Sequence, residues 1–136
     1  MVREPGHATG RPIRVLIADD EPVVRRGLGD TLEGVPGIAV VGRTDLGPGL
    51  AQQLWELRPD VVILDVNTLE PEGATLLGSI KAVSAQSAIV VFSQGRGQDA
   101  PSQARLYGAA GYVLKTAAVE ELVEAIHVVA AGGEHF

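Results

Sequence analysis

The chain has 136 residues, a formal net charge of -6 and no cysteine, and 46% of its residues are hydrophobic. This length suits one domain with its own core, and the lack of thiols excludes a disulfide framework and a thiolate metal site. The acidity argues against direct binding to nucleic acid, since the densest basic group is only Arg25-Arg26. No apolar stretch could span a bilayer and no secretory signal opens the chain, so we expect a cytoplasmic protein.

Short apolar runs alternate with segments of helical periodicity along most of the chain. The runs predict strands at 13–18, 38–41, 61–65, 88–92 and 111–114. The periodic segments predict helices at about 22–33, between 47 and 59, across 76–83, at about 100–107 and at about 117–131. In the last helix, Val119 and Leu122 begin the predicted buried side. The alternation implies a parallel sheet with right-handed crossovers and helices on both faces.

The third predicted strand is an uninterrupted apolar run that ends on a carboxylate. Val61 to Leu64 are all aliphatic, and Asp65 follows them directly. A short run of this kind is typical of a strand buried on both faces of a parallel sheet. Open α/β folds place their sites at the carboxyl ends of such strands. Asp65 is therefore the first candidate functional residue.

Four of the five predicted strands end in a residue that can do chemistry: Asp19-Asp20, Asp65, Ser93 and Lys115. The carboxyl ends of parallel strands share one edge, so we expect these side chains to converge. Clustered carboxylates without His or Cys favour Mg²⁺ as the counterion. Beside such a cation, Asp65 can act as a nucleophile that forms an acyl phosphate. Lys115 would neutralise phosphoryl oxygens, and the Ser93 hydroxyl would donate a hydrogen bond to one of them.

The same residues carry a resemblance to a known family. Nearly the whole chain, from Ile13 to about Gly133, resembles the receiver domain of two-component response regulators. The matching elements are the run Val15 to Pro22 with its acids, Asp65 with Asn67 and Gly73 downstream, Ser93, and the run Gly108 to Lys115. The two runs are most similar to the subfamily that carries a LuxR-type helix-turn-helix output domain.

The resemblance implies a doubly wound, flavodoxin-like fold with strand order 2-1-3-4-5. It implies that Asp65 is the phosphoacceptor for a sensor histidine kinase. Asp20 would bind Mg²⁺ directly, Asp19 would bind it through water, and the main-chain carbonyl of Asn67 would complete the protein ligands. DNA would be contacted only through an output domain outside this chain.

The resemblance also implies a switch that involves Ser93 and Tyr112. The hydroxyl would move toward the phosphoryl group, and the aromatic ring would rotate inward to fill the vacated space. This event would bias a surface made by the fourth helix, the fifth strand and the fifth helix. A homodimer and its dependence on phosphorylation stay open, and we expect a switch rather than an enzyme.

We predict three segments: a leader at 1–12, the receiver domain at 13–133, and the start of a linker or tail at 134–136, where His135 is expected to be solvated. Thr68-Leu69 and Gln94 depart from the family pattern. They leave open a degenerate receiver that acts as a phosphorylation-independent interaction module. A Mg²⁺-dependent phosphohydrolase would need an acid in place of Asn67. A flavin-binding domain would need a phosphate loop where this chain has acids.

Overall fold

The computed structural model describes residues 10–66, 72–95 and 99–136, in which five strands alternate with five helices. The sheet is parallel throughout and has the order β2-β1-β3-β4-β5. This confirms the predicted doubly wound, flavodoxin-like class and its strand order. The elements are β1 (Ile13–Ala18), α1 (Pro22–Glu33), β2 (Ile38–Thr44), α2 (Gly49–Leu57), β3 (Val61–Asp65), α3 (Ala74–Val83), β4 (Ala88–Ser93), α4 (Ala100–Leu106), β5 (Gly111–Leu114) and α5 (Val119–Ala130).

The largest difference from the predicted boundaries lies in β2. This strand continues to Thr44, three residues past the apolar run, because it is the edge of the sheet and tolerates polar residues. Arg43 uses the exposed edge to reach back over α1, where its guanidinium pairs with Asp30 at 3.1 Å and Glu33 at 3.0 Å. The guanidinium of this side chain packs so closely against Gly29 that a Cβ atom there would displace it.

The core forms two layers, one on each face of the sheet. The strand β3 contributes to both, since Val62 and Leu64 pack toward α2, α3 and α4, whereas Val61 and Ile63 pack toward α1 and α5. All four side chains are fully buried, which stabilises the fold by roughly 1.5–3 kcal/mol for each. The central strand is thus fixed firmly, and it carries Asp65 to the carboxyl edge of the sheet.

Two predictions near the C-terminus differ from the structure. Val119 was expected on the buried side of the last helix, but it is 43% exposed, because α5 begins at this residue and its packing on the sheet starts at Leu122. His135 was expected to be solvated, yet its side chain is only 19% exposed and its Nε2 lies 3.4 Å from Glu121 Oε2. Its main chain accepts a bond from Tyr112 N at 2.8 Å and donates to Ala110 O at 3.0 Å. In the described parts of the chain, no helix is long and apolar enough to cross a membrane.

Candidate functional site

The carboxyl edge of the sheet brings a lysine onto a buried aspartate. Lys115 Nζ lies 2.5 Å from Asp65 Oδ2, and the two side chains are 14% and 4% exposed. Asp65 ends β3, and Lys115 follows β5, two strands away in the sheet. The amide of Lys115 donates to the Ser93 carbonyl at 2.7 Å, which anchors the residue to the end of β4. The predicted convergence of strand ends is therefore present for this pair.

Asp19 is a second buried carboxyl beside Asp65. Its side chain is 2% exposed, and its Oδ1 accepts a hydrogen bond from the Glu21 amide at 2.8 Å. The pKa of Asp19 is raised to about 6, mainly by burial and next by the neighbouring Asp65, while the Glu21 amide and Lys115 act in the opposite direction. The repulsion between two facing acids of this kind is relieved by a shared proton or by a nearby positive charge.

Asp20 lies at the exposed rim of the same site. Its Oδ1 accepts a hydrogen bond from the Leu46 amide at 3.0 Å, which ties the end of β1 to the loop after β2. Asp19, Asp20 and Asp65 line one cleft of about 60 Å³, enough for a cation with a few waters. We call these three residues and Lys115 the acid site. The cleft is completed by Glu21, Leu46, Val66, Glu72 and Leu76.

The donor atoms of the acid site fit a hard divalent cation. Asp19 Oδ2 is buried without a hydrogen-bond partner, and Asp65 Oδ2 has none beyond its ion pair with Lys115. Carboxylate oxygens without thiolate or imidazole favour Mg²⁺. Among the residues that the structure describes, no three His, Asp or Glu side chains already converge at binding distance. Asn67, the predicted source of a carbonyl ligand, lies outside the described residues.

Ser93 and Tyr112 lie on the neighbouring strands β4 and β5, two positions apart in register, and differ in their hydrogen bonding. Ser93 is 7% exposed, and its Oγ accepts a bond from the Gly95 amide at 3.2 Å. Tyr112 is 6% exposed, and its hydroxyl is buried without a partner. The ring packs in the core layer that contains Ala100 and Ala104 of α4. The structure thus has the ring inside the core and the serine hydroxyl engaged by its own loop.

One residue that contacts the main chain of the acid site was not predicted from the sequence. Arg25 on α1 donates from Nη1 to the main-chain carbonyl of Asp19 at 2.7 Å, and its side chain is half-buried. The available signal was a cation one helical turn after the Asp19-Asp20-Glu21 run. The sequence does not distinguish this residue from its neighbour in the pair Arg25-Arg26. Which of the two faces the acids depends on how α1 is rotated against the sheet.

The family model for the response regulator receiver domain matches residues 15–127. The chain belongs to this family. The match includes every residue of the acid site, together with Ser93 and Tyr112. This match confirms the resemblance drawn from the sequence. Receiver domains are signalling switches.

Two curated relatives place this receiver domain beside transcriptional regulators. The transcriptional regulatory protein MctR of Rhizobium johnstonii is 34% identical over 129 residues, which are 94% of this chain and 60% of the relative. The nitrate/nitrite response regulator NarL of Escherichia coli is 34% identical over 121 residues, covering 89% of this chain and 56% of that protein. The chain thus spans somewhat more than half the length of these relatives.

Solved structures agree with the fold of this receiver domain. A LuxR-family response regulator from an Aurantimonas species superposes with a TM-score of 0.81 at 32% identity, covering 92% of this chain and 89% of that one. The isolated receiver domain of RcsB from Salmonella enterica, in the presence of the phosphomimetic BeF3-, has a TM-score of 0.77 at 28% identity. That match covers 91% of this chain and 92% of the RcsB chain. These similarities confirm the LuxR-type subfamily.

Proposed function

We propose that this receiver domain accepts a phosphoryl group on Asp65 from a sensor histidine kinase. The observation that carries the proposal is the buried Asp65 carboxylate, paired with Lys115 and facing Asp19 at the carboxyl edge of the sheet. In the transfer, a carboxylate oxygen of Asp65 attacks phosphorus as the phosphorus–nitrogen bond to the kinase histidine breaks. The leaving imidazole nitrogen keeps the electron pair, and the product is an acyl phosphate.

Mg²⁺ would be held by the acids of the same cleft, and it would supply charge neutralisation for the phosphoryl oxygens. We propose the ligands expected from the family: Asp20 directly, Asp19 through water, and the carbonyl of Asn67. The buried, unpartnered Asp19 Oδ2 supports a cation site, since an unsatisfied carboxylate oxygen in the protein interior is costly.

Lys115 has a partner at each stage of this reaction. Before transfer its ammonium stabilises the charge of Asp65 across 2.5 Å. Once Asp65 is phosphorylated, the negative charge lies on the phosphoryl oxygens, and we propose that the ammonium follows it. A charge-assisted hydrogen bond to a phosphoryl oxygen is about twice as strong as a neutral one.

Ser93 and Tyr112 would convert phosphorylation into a change of surface. We propose that the Ser93 hydroxyl leaves the Gly95 amide and donates to a phosphoryl oxygen, so the loop after β4 loses its acceptor. Tyr112 is already inside the core, with alanines of α4 beside its ring. The switch would therefore change the fraction of time that the Tyr112 ring spends inside the core, and with it the position of α4.

The wider role is proposed from the relatives. We propose that residues 13–133 are the receiver domain of a transcriptional regulator, that 1–12 form a leader, and that 134–136 begin a linker. A domain outside this chain would contact DNA, and phosphorylation would control self-association. We place the protein in the cytoplasm. It would act as a switch and not on a small-molecule substrate, since Asn67 stands where a phosphohydrolase has an acid.

The phosphoacceptor role is tested by intact mass after incubation with acetyl phosphate and Mg²⁺. We expect one added phosphoryl group in the wild-type chain and none in Asp65→Asn or without Mg²⁺. Asp60→Asn is the matched control, because Asp60 immediately precedes the opposite end of β3 and should leave phosphorylation intact. Equal labelling of Asp65→Asn, or no labelling of a folded wild-type chain, would refute the assignment. The second result would favour a phosphorylation-independent interaction module.

A further inference from the structure

Arg25 contacts the main chain of the acid site, although it does not line the cleft. Its Nη1 donates to the Asp19 carbonyl at 2.7 Å, and its amide donates to the Glu21 carbonyl at 2.9 Å. The amide bond is the ordinary first-turn bond of α1, whereas the guanidinium bond ties α1 to the start of the acidic connection between β1 and α1. The cleft is lined by the side chains of that connection and not by the guanidinium. Arg25 can thus act on the acids only through their backbone.

The other bonds to this connection come from backbone amides. Asp19 N donates to Thr44 O at 2.9 Å, and Leu46 N donates to Asp20 Oδ1 at 3.0 Å. The Arg25 bond differs because a charged side chain makes it, and charge-assisted bonds are the stronger class. A carbonyl held toward α1 fixes the peptide plane between Asp19 and Asp20. That plane sets the direction in which the two side chains leave the main chain.

The position of the charge also suits a cation site. Asp19, Asp20 and Glu21 are successive acids that repel one another and the nearby Asp65. A guanidinium bonded to their main chain offsets part of this repulsion without occupying a carboxylate oxygen. Asp19 Oδ2 is buried without a hydrogen-bond partner, so it is open to a cation.

We propose that Arg25 is a positioning residue for the divalent-cation site, holding the main chain at Asp19 so that the carboxylates of Asp19 and Asp20 face the cleft. The assignment rests on the proposed function, because it concerns the same cation that assists phosphorylation of Asp65. It predicts that the loss of Arg25 weakens cation affinity and leaves the chemical step unchanged once the cation is bound.

The direct test is a Mg²⁺ titration without a phosphodonor, followed by the amide NMR signals of Glu21 and Leu46 in the ¹⁵N-labelled full chain. Arg25→Ala should weaken Mg²⁺ binding about 10-fold, the lower range for outer-shell residues of metal sites. Arg25→Lys keeps the charge and a donor and should recover part of this loss. Arg26→Gln removes a positive charge from the exposed neighbour on the same helix, and it should bind Mg²⁺ as the wild type does.

A second readout separates positioning from general structure. With acetyl phosphate, Arg25→Ala should raise the Mg²⁺ concentration for half-maximal phosphorylation and leave the rate at saturating Mg²⁺ unchanged, with folding checked by urea denaturation. Wild-type affinity in Arg25→Ala would overturn the proposal, and so would an equal loss in Arg26→Gln. A wild-type chain that binds Mg²⁺ without being phosphorylated would refute the phosphoacceptor role alone, since the NMR comparison still decides the role of Arg25.

Discussion

Polar groups at the amino ends of the strands have hydrogen-bond partners, whereas some buried ones at the carboxyl ends have none. At the amino end, Ser87 Oγ donates to Pro59 O at 2.6 Å and lies 2.7 Å from Ser84 Oγ, while Asp60 Oδ2 accepts from Arg14 N at 2.9 Å. At the carboxyl end, Asp19 Oδ2 is buried with no hydrogen-bond partner, and Asp65 Oδ2 has none beyond its ion pair with Lys115. In the described ranges, the third buried oxygen without a hydrogen bond is the Tyr112 hydroxyl on β5.

This difference indicates a division of labour along the sheet. Satisfied hydrogen bonds at the amino end contribute to stability and fix the starts of β3 and β4. Unsatisfied oxygens at the carboxyl end cost stability in the resting state, because each buried polar group has lost its bonds to water. A cation and a phosphoryl group would supply the missing partners. Substitutions of polar side chains at the two ends should therefore change the free energy of unfolding in opposite directions.

The largest effect is expected at Asp19, as a dependence of stability on pH. The ordinary pKa of 3.8 rises to about 6 in the folded protein, so the folded state binds this proton more tightly than the unfolded chain. The stability from Asp19 is complete below pH 3.8 and is lost as the pH rises through about 6. This rise in the pKa of Asp19 corresponds to about 3 kcal/mol in the free energy of unfolding.

Urea denaturation between pH 4 and pH 7 in EDTA measures this effect. Other carboxyl groups titrate in the same range, so the comparison is with Asp19→Asn, in which this decline should be absent. At pH 7 the variant should be more stable than the wild type, and added Mg²⁺ should stabilise the wild type more than the variant. Parallel pH profiles for the two proteins would contradict the assignment.

At the amino end of the sheet we expect that removing a polar group lowers the stability of the protein. Ser87→Ala removes a buried donor and leaves Pro59 O and Ser84 Oγ without it, so it should lower the free energy of unfolding by about 1–3 kcal/mol. Ser79→Ala, at an exposed position of α3, should stay within about 0.5 kcal/mol. Urea denaturation at one pH measures both. If Ser87→Ala stabilised the protein, the contrast between the two ends would be wrong.

Much of this arrangement could be predicted from the sequence because parallel topology makes it unavoidable. The apolar runs locate the strands, and their last residues place Asp65 and Lys115 on one edge, whereas the strand order was predicted from the family resemblance. The orientation of Arg25 could not be predicted, since it depends on the rotation of α1 against the sheet. Nor could the burial of Asp19 beside the exposed Asp20, because the turn geometry decides which neighbour faces inward.

The pairing of the C-terminal segment could not be predicted from the sequence either. Pairing of His135 with Gly111 joins residues that are distant in sequence and leaves no periodic signal. The ligand roles of Asp19, Asp20 and Asn67 stay predictions, as does the Ser93–Tyr112 switch. Residue type and strand position supply the candidates, whereas the identity of the direct ligands depends on a loop that includes Asn67.

The smallest expected effect concerns the third unpartnered atom. Tyr112→Phe removes a buried hydroxyl that has no hydrogen-bond partner and keeps the ring that packs beside α4. Removing an unsatisfied group of this kind should leave the free energy of unfolding unchanged or raise it by less than about 1 kcal/mol. Tyr107→Phe is the control, since that ring is only half-buried against the same core layer. Urea denaturation measures the free energy of unfolding of both variants. A larger loss of stability in Tyr112→Phe than in Tyr107→Phe would mean that the Tyr112 hydroxyl has a hydrogen-bond partner. The buried polar atom of β5 would then be paired, as those at the amino end of the sheet are.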